Sequence, residues 1–348
     1  MTVGYTKQDR INTVFGGGGH VVILGAGASI AATKRNPLAS GKKLPSMDNF
    51  IEIVGLRDIV SKIPAHLHAP NFETLYSNLH QDNPDGELIK EMEDRVRYYF
   101  ADMRLPDEPT IYDYLVLALR PRDVIATFNW DPFLYQAWNR NHHVGDRPYI
   151  AFLHGSVALG FGKQSKRSGP AGGWLKTTME YMEPTKLLYP VLQKNYTDDE
   201  FIRQQWDLLR SFLSAKEVKR LTIFGYGAPD SDVEAVKLMN EAWGTGRQRP
   251  DEQVEIIDIS PEREVMQRWK NFIYQGHTDY ATDYFDSSLA YNPRRTFESF
   301  HQHNFPLNED EAFSASNPVP NNFTTLEELQ KWHIPLIEAE RNHLQFQK

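Results

Sequence analysis

Four apolar residues in succession, Val21-Val22-Ile23-Leu24, run without a polar partner and break into Gly25-Ala26-Gly27-Ala28-Ser29. An unalternating, β-branched run is the pattern of a strand buried on both faces, so this segment predicts strand, glycine turn and helix. Comparable runs recur at Asp123–Thr127, Tyr149–Leu153, Leu221–Phe224 and Val254–Ile259, each punctuated by a small or polar residue. Between and after them, apolar positions fall at three-and-four spacing and predict helices at Phe133–Arg140, Asp199–Leu213, Asp232–Trp243 and Glu262–Phe272. The last is opened by Ser260-Pro261, with proline expected at the first helical position. Strands alternating with helices predict an α/β fold built on a doubly wound, mostly parallel, Rossmann-like sheet.

Two stretches interrupt the alternation. Residues 36–119 show no strand pattern but three amphipathic stretches, Asn71–His80, Glu87–Met103 and Ile111–Leu119, and read as a helical insertion. Residues 156–197 are glycine-rich, aromatic and aperiodic, a loop-rich insertion, and residues 276–324 are equally irregular. The expected organisation is a flexible segment over 1–19 ending in Gly16-Gly17-Gly18-Gly19, a catalytic domain over 20–275 carrying both insertions, and a C-terminal extension over 276–348. A final helical stretch, Leu326–Arg341, should bury Leu326, Leu329, Trp332, Leu336 and Ile337 against the core or another subunit. Pro335 inside it should kink or break it.

With 40% hydrophobic and 24% charged residues among 348, the chain has the composition of a folded globular protein. It has no cysteine, which excludes disulfides, thiolate zinc sites and a cysteine nucleophile. The N-terminus lacks the apolar core of a signal peptide and no apolar run approaches the roughly 20 residues of a membrane span; a cytoplasmic location is the expectation. A formal charge of −8 argues against binding nucleic acid through the overall field. The local basic run Lys163-Gln164-Ser165-Lys166-Arg167 reads as a solvated loop.

In an open parallel sheet, ligands sit outside the carboxyl ends of the strands, and here those ends read GAGAS, TFNWD, LHGS, GYGAPDSD and IDIS. Gly25 and Gly27 would let backbone N–H groups approach a phosphate at a helix N-terminus. A hydride-transfer fingerprint would want glycine or alanine where Ile30 stands. Asn129 and Asp131 alternate with Phe128 and Trp130, so a polar pair would project from a wall that excludes water; Asp131 could equally cap the helix after Pro132. His154 ends a strand before a glycine, where an imidazole with an ordinary pKa near ~6.5 could serve as a base. Tandem histidines at His66/His68, His142/His143 and His301/His303 offer no recognisable metal ligand set.

Taken in order over residues 20–35 and 122–262, these motifs resemble the sirtuin-like superfamily. The resemblance implies that Gly25, Ala26, Gly27 and Ser29 cradle the phosphates of NAD, that Asn129 and His154 line the nicotinamide–ribose pocket with Thr127, Phe128 and Gly155 around them, and that Gly225, Tyr226 and Asp258 hold the adenosine side. Asp131, if turned inward, would stabilise positive charge on the sugar. The four-cysteine zinc module of protein-deacylating members is absent, and their proline–aspartate–phenylalanine–arginine loop is replaced by Leu44-Pro45-Ser46-Met47-Asp48-Asn49-Phe50.

What remains resembles the bacterial sirtuin-like NADases of antiphage defence, to which Phe72-Glu73-Thr74-Leu75 is also similar. That resemblance implies NAD as substrate without a metal, hydrolysis to ADP-ribose and nicotinamide, and control by homo-oligomerisation or by a partner such as a ring ATPase or nucleotide-sensing protein. Two other classes compete: an NAD-dependent protein deacylase or ADP-ribosyltransferase, and a non-catalytic NAD or ADP-ribose sensor. A sensor needs the phosphate cradle but not a proton acceptor beside the ribose.

Overall fold

The computed structural model describes residues 18–191, 194–228, 232–244, 248–249, 253–270, 272, 278–295 and 316–346. Alternate residues of the first strand, β1 (Gly19–Leu24), feed two separate cores. Val22 and Leu24 join one and Val21 and Ile23 the other, all with no solvent exposure. That is why the run shows no alternation: side chains of period two meet an apolar layer on both faces. Burying each such side chain stabilises the fold by about 1.5–3 kcal/mol.

The other sequence-predicted strands form as β2 (Val124–Thr127), β3 (Tyr149–Phe152), β9 (Val218–Phe224) and β10 (Gln253–Ile257). A sixth, β11 (Thr278–Ala281), lies in the stretch read as irregular. It is an edge strand pairing only with β10, and its polar sequence TDYA carries no apolar run for a pattern to detect. The sheet order is β11-β10-β9-β1-β2-β3, every pairing parallel. Counted among themselves, the six strands stand 3-2-1-4-5-6, the arrangement of doubly wound dinucleotide-binding sheets, which reverses between β1 and β9. The irregular stretch 156–197 also holds short antiparallel strands, β4 (Leu159–Gly162), β5 (Arg167–Pro170), β6 (Trp174–Leu175), β7 (Glu180–Tyr181) and β8 (Glu183–Pro184). The basic run at 163–167 turns the β4–β5 hairpin, its lysines paired with Glu183 and Glu200.

One face of the sheet is covered by α8 (Glu200–Ser214), α9 (Val233–Trp243) and α10 (Glu262–Arg268). Pro261 stands one place earlier than expected, at the N-cap of α10 rather than its first turn. The other face carries α1 (Ala26–Ala32), the insertion helices α2 (Phe50–Val54), α3 (Arg57–Val60), α4 (Phe72–Asp82), α5 (Glu87–Ala101) and α6 (Ile111–Ala118), then α7 (Phe133–Arg140). Helix α6 is not amphipathic as read: all eight residues are buried, because it lies beneath its neighbours. Asp113 closes its capping box with Thr110 and also accepts from Arg140 Nε at 2.6 Å and Asn141 Nδ2 at 2.9 Å, which locks α6 to α7.

Gly18 and Gly19 belong to the fold rather than to a flexible segment. Gly19 N–H donates to Glu217 O at 2.7 Å, and a Cβ on Gly18 would lie 1.9 Å from that oxygen; residues 1–17 lie outside the described residues. At the other end, α11 (Ser288–Tyr291) precedes α12 (Leu326–Phe346), which runs through Pro335 unbroken. A proline inside a helix costs about 3 kcal/mol through the lost amide bond and the clash of its ring with the preceding turn, less than is gained by burying Leu329, Leu336 and Ile337 on either side of it. The packing is within the chain: Gln330 Nε2 donates to Asn141 Oδ1 at 2.9 Å, and Glu340 accepts from the buried Arg294.

Candidate active site

Where the strand order reverses, the turns after β1 and β9 interlock. Gly25 N–H donates to Phe224 O at 3.0 Å and Gly27 N–H to Gly225 O at 2.9 Å. A Cβ on Gly25 would meet Gly225 O at 2.5 Å, and one on Gly225, whose φ is +59°, would meet Ala28 N at 2.3 Å. These glycines are therefore required by the contact between two turns. That corrects the expectation that the N–H groups of Gly25 and Gly27 point at a phosphate: both are donated inside the protein. Gly27 is also absent from the cavity wall, whereas Gly25, Ala26, Gly225 and Tyr226 line it.

The cavity beside this interlock has a volume of about 320 Å³. Asn129, Asp131, His154, Ser29 and Phe128 line it, so the residues expected after β1, β2 and β3 do converge. Ser29 Oγ is the hub of one half: it donates to Asp131 Oδ2 at 2.6 Å, meets Tyr112 OH at 2.6 Å and accepts from Asn129 Nδ2 at 2.9 Å. Asn129 Nδ2 also donates to Gly25 O at 2.8 Å. With its NH₂ committed, Asn129 has its carbonyl oxygen left as the group that can accept from a ligand. Asp131 combines both sequence readings, since Oδ1 accepts from Phe133 N–H at 3.1 Å at the head of α7 while the carboxylate lines the cavity. Burial raises its pKa to about 6, against the pull of Ser29 and the Phe133 amide.

His154 forms the other half. Its ring lies edge-on to Phe128 at 4.8 Å and stacks on Tyr196 at 6.0 Å, and Trp206 Nε1 donates to Leu153 O beside it. Nε2 faces Tyr196 OH at 3.5 Å and Asp232 Oδ1 at 3.9 Å. Burial lowers the imidazole pKa to about 3; Asp232 opposes that shift and Lys194 adds to it. His154 is thus neutral at physiological pH and able to accept a proton. Asp232 also pairs with Lys194 and accepts from Tyr226 OH at 2.8 Å. Burial alone would raise its pKa, but its partners outweigh that and hold it low; beside a neutral imidazole, the ammonium of Lys194 supplies the counter-charge. Tyr226 completes the wall by stacking on Phe128 at 4.1 Å.

Three other expected ligand contacts fall elsewhere. Thr127 Oγ1 accepts from Asn129 N–H at 3.1 Å, so it shapes the turn from below. Gly155, at φ +79°, is needed because a Cβ would lie 1.9 Å from Lys186 O. Asp258 ends β10 outside the cavity wall, its carboxylate accepting from Ser260 N–H at 2.8 Å. Conversely, Tyr112, Lys194, Asp232 and Arg268 were not singled out by sequence. A signal existed for Asp232, the last residue of GYGAPDSD: an acid before a helix is ordinarily read as its cap, yet here it makes no cap bond and turns to Lys194 and Tyr226. Arg268 lines the cavity from α10, its Nη1 donating to Gly227 O at 2.9 Å.

Fold and site together define a doubly wound α/β protein with a cleft at its switch point in which a few polar side chains stand in a mostly apolar wall. No protein-family model and no curated protein matches the chain. Among solved structures it is similar to a Sir2 homolog–NAD complex, at 11% identity over 80% of this chain and 88% of that one, with a TM-score of 0.40. Two Sir2 homologue mutants with ADP-ribose are also similar: one at 11% identity, over 73% and 86% of the chains, TM-score 0.38; the other at 10%, over 98% and 98%, TM-score 0.39. Likeness at this level assigns no residue a role. Among the described residues no group of three histidine, cysteine or acidic side chains could hold a metal, and no helix is long and apolar enough to cross a membrane.

Proposed function

We propose that this protein is an NAD glycohydrolase that cleaves the nicotinamide–ribose bond to give ADP-ribose and nicotinamide. One observation supports this above others: Asn129, Asp131 and a neutral, buried His154 converge on a single cleft at the switch point of a 3-2-1-4-5-6 sheet, the place where such sheets take dinucleotides. The dinucleotide's phosphates would lie near Ala26 and the turn from Gly225 to Gly227, with Arg268 supplying positive charge. Asp258, beyond the cavity wall, is assigned to the adenosine ribose.

In the reaction the C–N bond breaks, its electron pair leaves with nicotinamide, and a water oxygen bonds to the ribose carbon. Asn129 Oδ1, fixed by the two bonds of its own NH₂ group, orients the water or a ribose hydroxyl. His154 takes the water's proton. Asp131, ionised above about pH 6, faces the positive charge that develops on the sugar. Phe128, Trp130 and Tyr226 keep bulk water out.

The motif resemblance supports a role in antiphage defence by NAD depletion, with activity restrained through assembly or a partner protein until infection. Incubating the protein with NAD, with and without an acetylated peptide, tests the reaction. Nicotinamide and ADP-ribose should appear without peptide. Release that requires peptide would instead mark a deacylase or transferase, and NAD binding without turnover a sensor.

A further inference from the structure

Lys194 and Asp232 stand in the wall of the cleft, yet nothing in the proposed reaction uses either. Both side chains are almost fully buried, 4% and 6% exposed, an expensive place for two charges unless each is matched. They pair with each other, Tyr226 OH satisfies the second oxygen of Asp232, and the first oxygen is the one 3.9 Å from His154 Nε2. Among the described residues, the other groups facing the imidazole are Tyr196 OH, the ring of Phe128 and, across the cavity, Asn129 and Asp131.

We propose that Lys194 and Asp232 are positioning residues for His154: the carboxylate faces Nε2 across 3.9 Å and holds the ring electrostatically rather than by a hydrogen bond, and the ammonium cancels the carboxylate's charge so that the imidazole stays neutral further into acid. An uncompensated carboxylate beside the ring would favour imidazolium, which cannot take a proton from water. The lysine thereby extends into acid the pH range over which the ring, already held neutral chiefly by burial, stays unprotonated beside an acid. This rests on the glycohydrolase reading for its purpose but not for its test.

The test is an NMR titration of the His154 ring in the full chain without NAD, the signal assigned by its loss in His154→Gln. In the wild type the ring should stay neutral to well below the ordinary midpoint near ~6.5. Lys194→Met leaves Asp232 unbalanced and should raise the midpoint by about 1–3 pH units; Lys194→Arg keeps the charge and should leave it in place. Asp232→Asn removes the one acid beside Nε2 among the described residues and should not raise it. In nicotinamide release, Lys194→Met should lose activity on the acid side first, with kcat falling more than KM rises.

A wild-type midpoint near ~6.5 overturns the proposal, as does a Lys194→Met midpoint that does not move. If Lys194→Met and Asp232→Asn rise together, the pair merely excludes water. The wild-type and Asp232→Asn titrations decide the matter even where Lys194→Met does not fold. Because no arm of the titration contains NAD, it separates failure of this inference from failure of the glycohydrolase reading.

Discussion

Asp131→Asn should gain stability relative to the wild type as pH rises to neutral, and lose activity, and the size of the gain follows from where the carboxylate sits. Burial lifts its pKa from 3.8 to about 6, and at about 1.36 kcal/mol per pH unit that rise costs the ionised folded protein about 3 kcal/mol. The sign is that of an acid raised by folding: the favourable contribution is complete below the unfolded pKa and is lost as pH climbs through the folded one. Asparagine keeps an oxygen for the Phe133 amide and never ionises, so it escapes the cost. Any fixed change in hydrogen bonding with Ser29 is the same at every pH and cancels when two pH values are compared.

Denaturant unfolding of both proteins should therefore show the variant gaining, relative to wild type, up to about 3 kcal/mol between about pH 4 and about pH 8. Nicotinamide release should fall, and the acid limb of the wild-type rate profile, near pH 6, should vanish. A stability difference that does not widen with pH would show that the carboxylate is solvated and the reasoning wrong; full turnover by the variant would remove Asp131 from the chemistry.

Asn129→Ala and His154→Ala should each lose about 10²–10⁴ in nicotinamide release while folding normally by circular dichroism, and the double variant should be little worse than either because the two act as a unit. Arg268→Ala should weaken ADP-ribose binding by about 1.5–3 kcal/mol and leave adenosine binding alone; calorimetry showing equal losses for both would place the arginine away from the phosphates. Gly225→Ala and Gly55→Ala share the left-handed backbone cost of about 1–2 kcal/mol, but nothing lies within 4 Å of a Cβ at Gly55. Thermal melts should find Gly225→Ala clearly the worse, and equal losses would mean the two turns yield freely. Glu340→Ala strands the buried Arg294 and should cost about 3–5 kcal/mol in the same assay.

Much was legible in the sequence because it is local. A run buried on both faces must be apolar without alternation, so Val21–Leu24 declared its strand and its place in mid-sheet, and the three-and-four spacing at 133–140 declared its helix. Residues that end strands in a parallel sheet arrive at one edge whatever their separation along the chain, and so Ser29, Asn129, Asp131 and His154 could be grouped before their distances were known. Order, distance and partner were decided only by the tertiary structure. Nothing local marks β11, whose edge position asks little of its side chains, or says that Pro335 would be tolerated where burial on both sides outweighs the lost hydrogen bond and the clash of its ring. Nor could sequence tell that Gly25 and Gly27 spend their amides on the β9 turn, or that Asp232 would leave its helix for Lys194 and stand beside His154. The pKa of a histidine and the direction of an amide depend on what approaches from other elements, and that is a property of packing, which residues far apart in the chain write together.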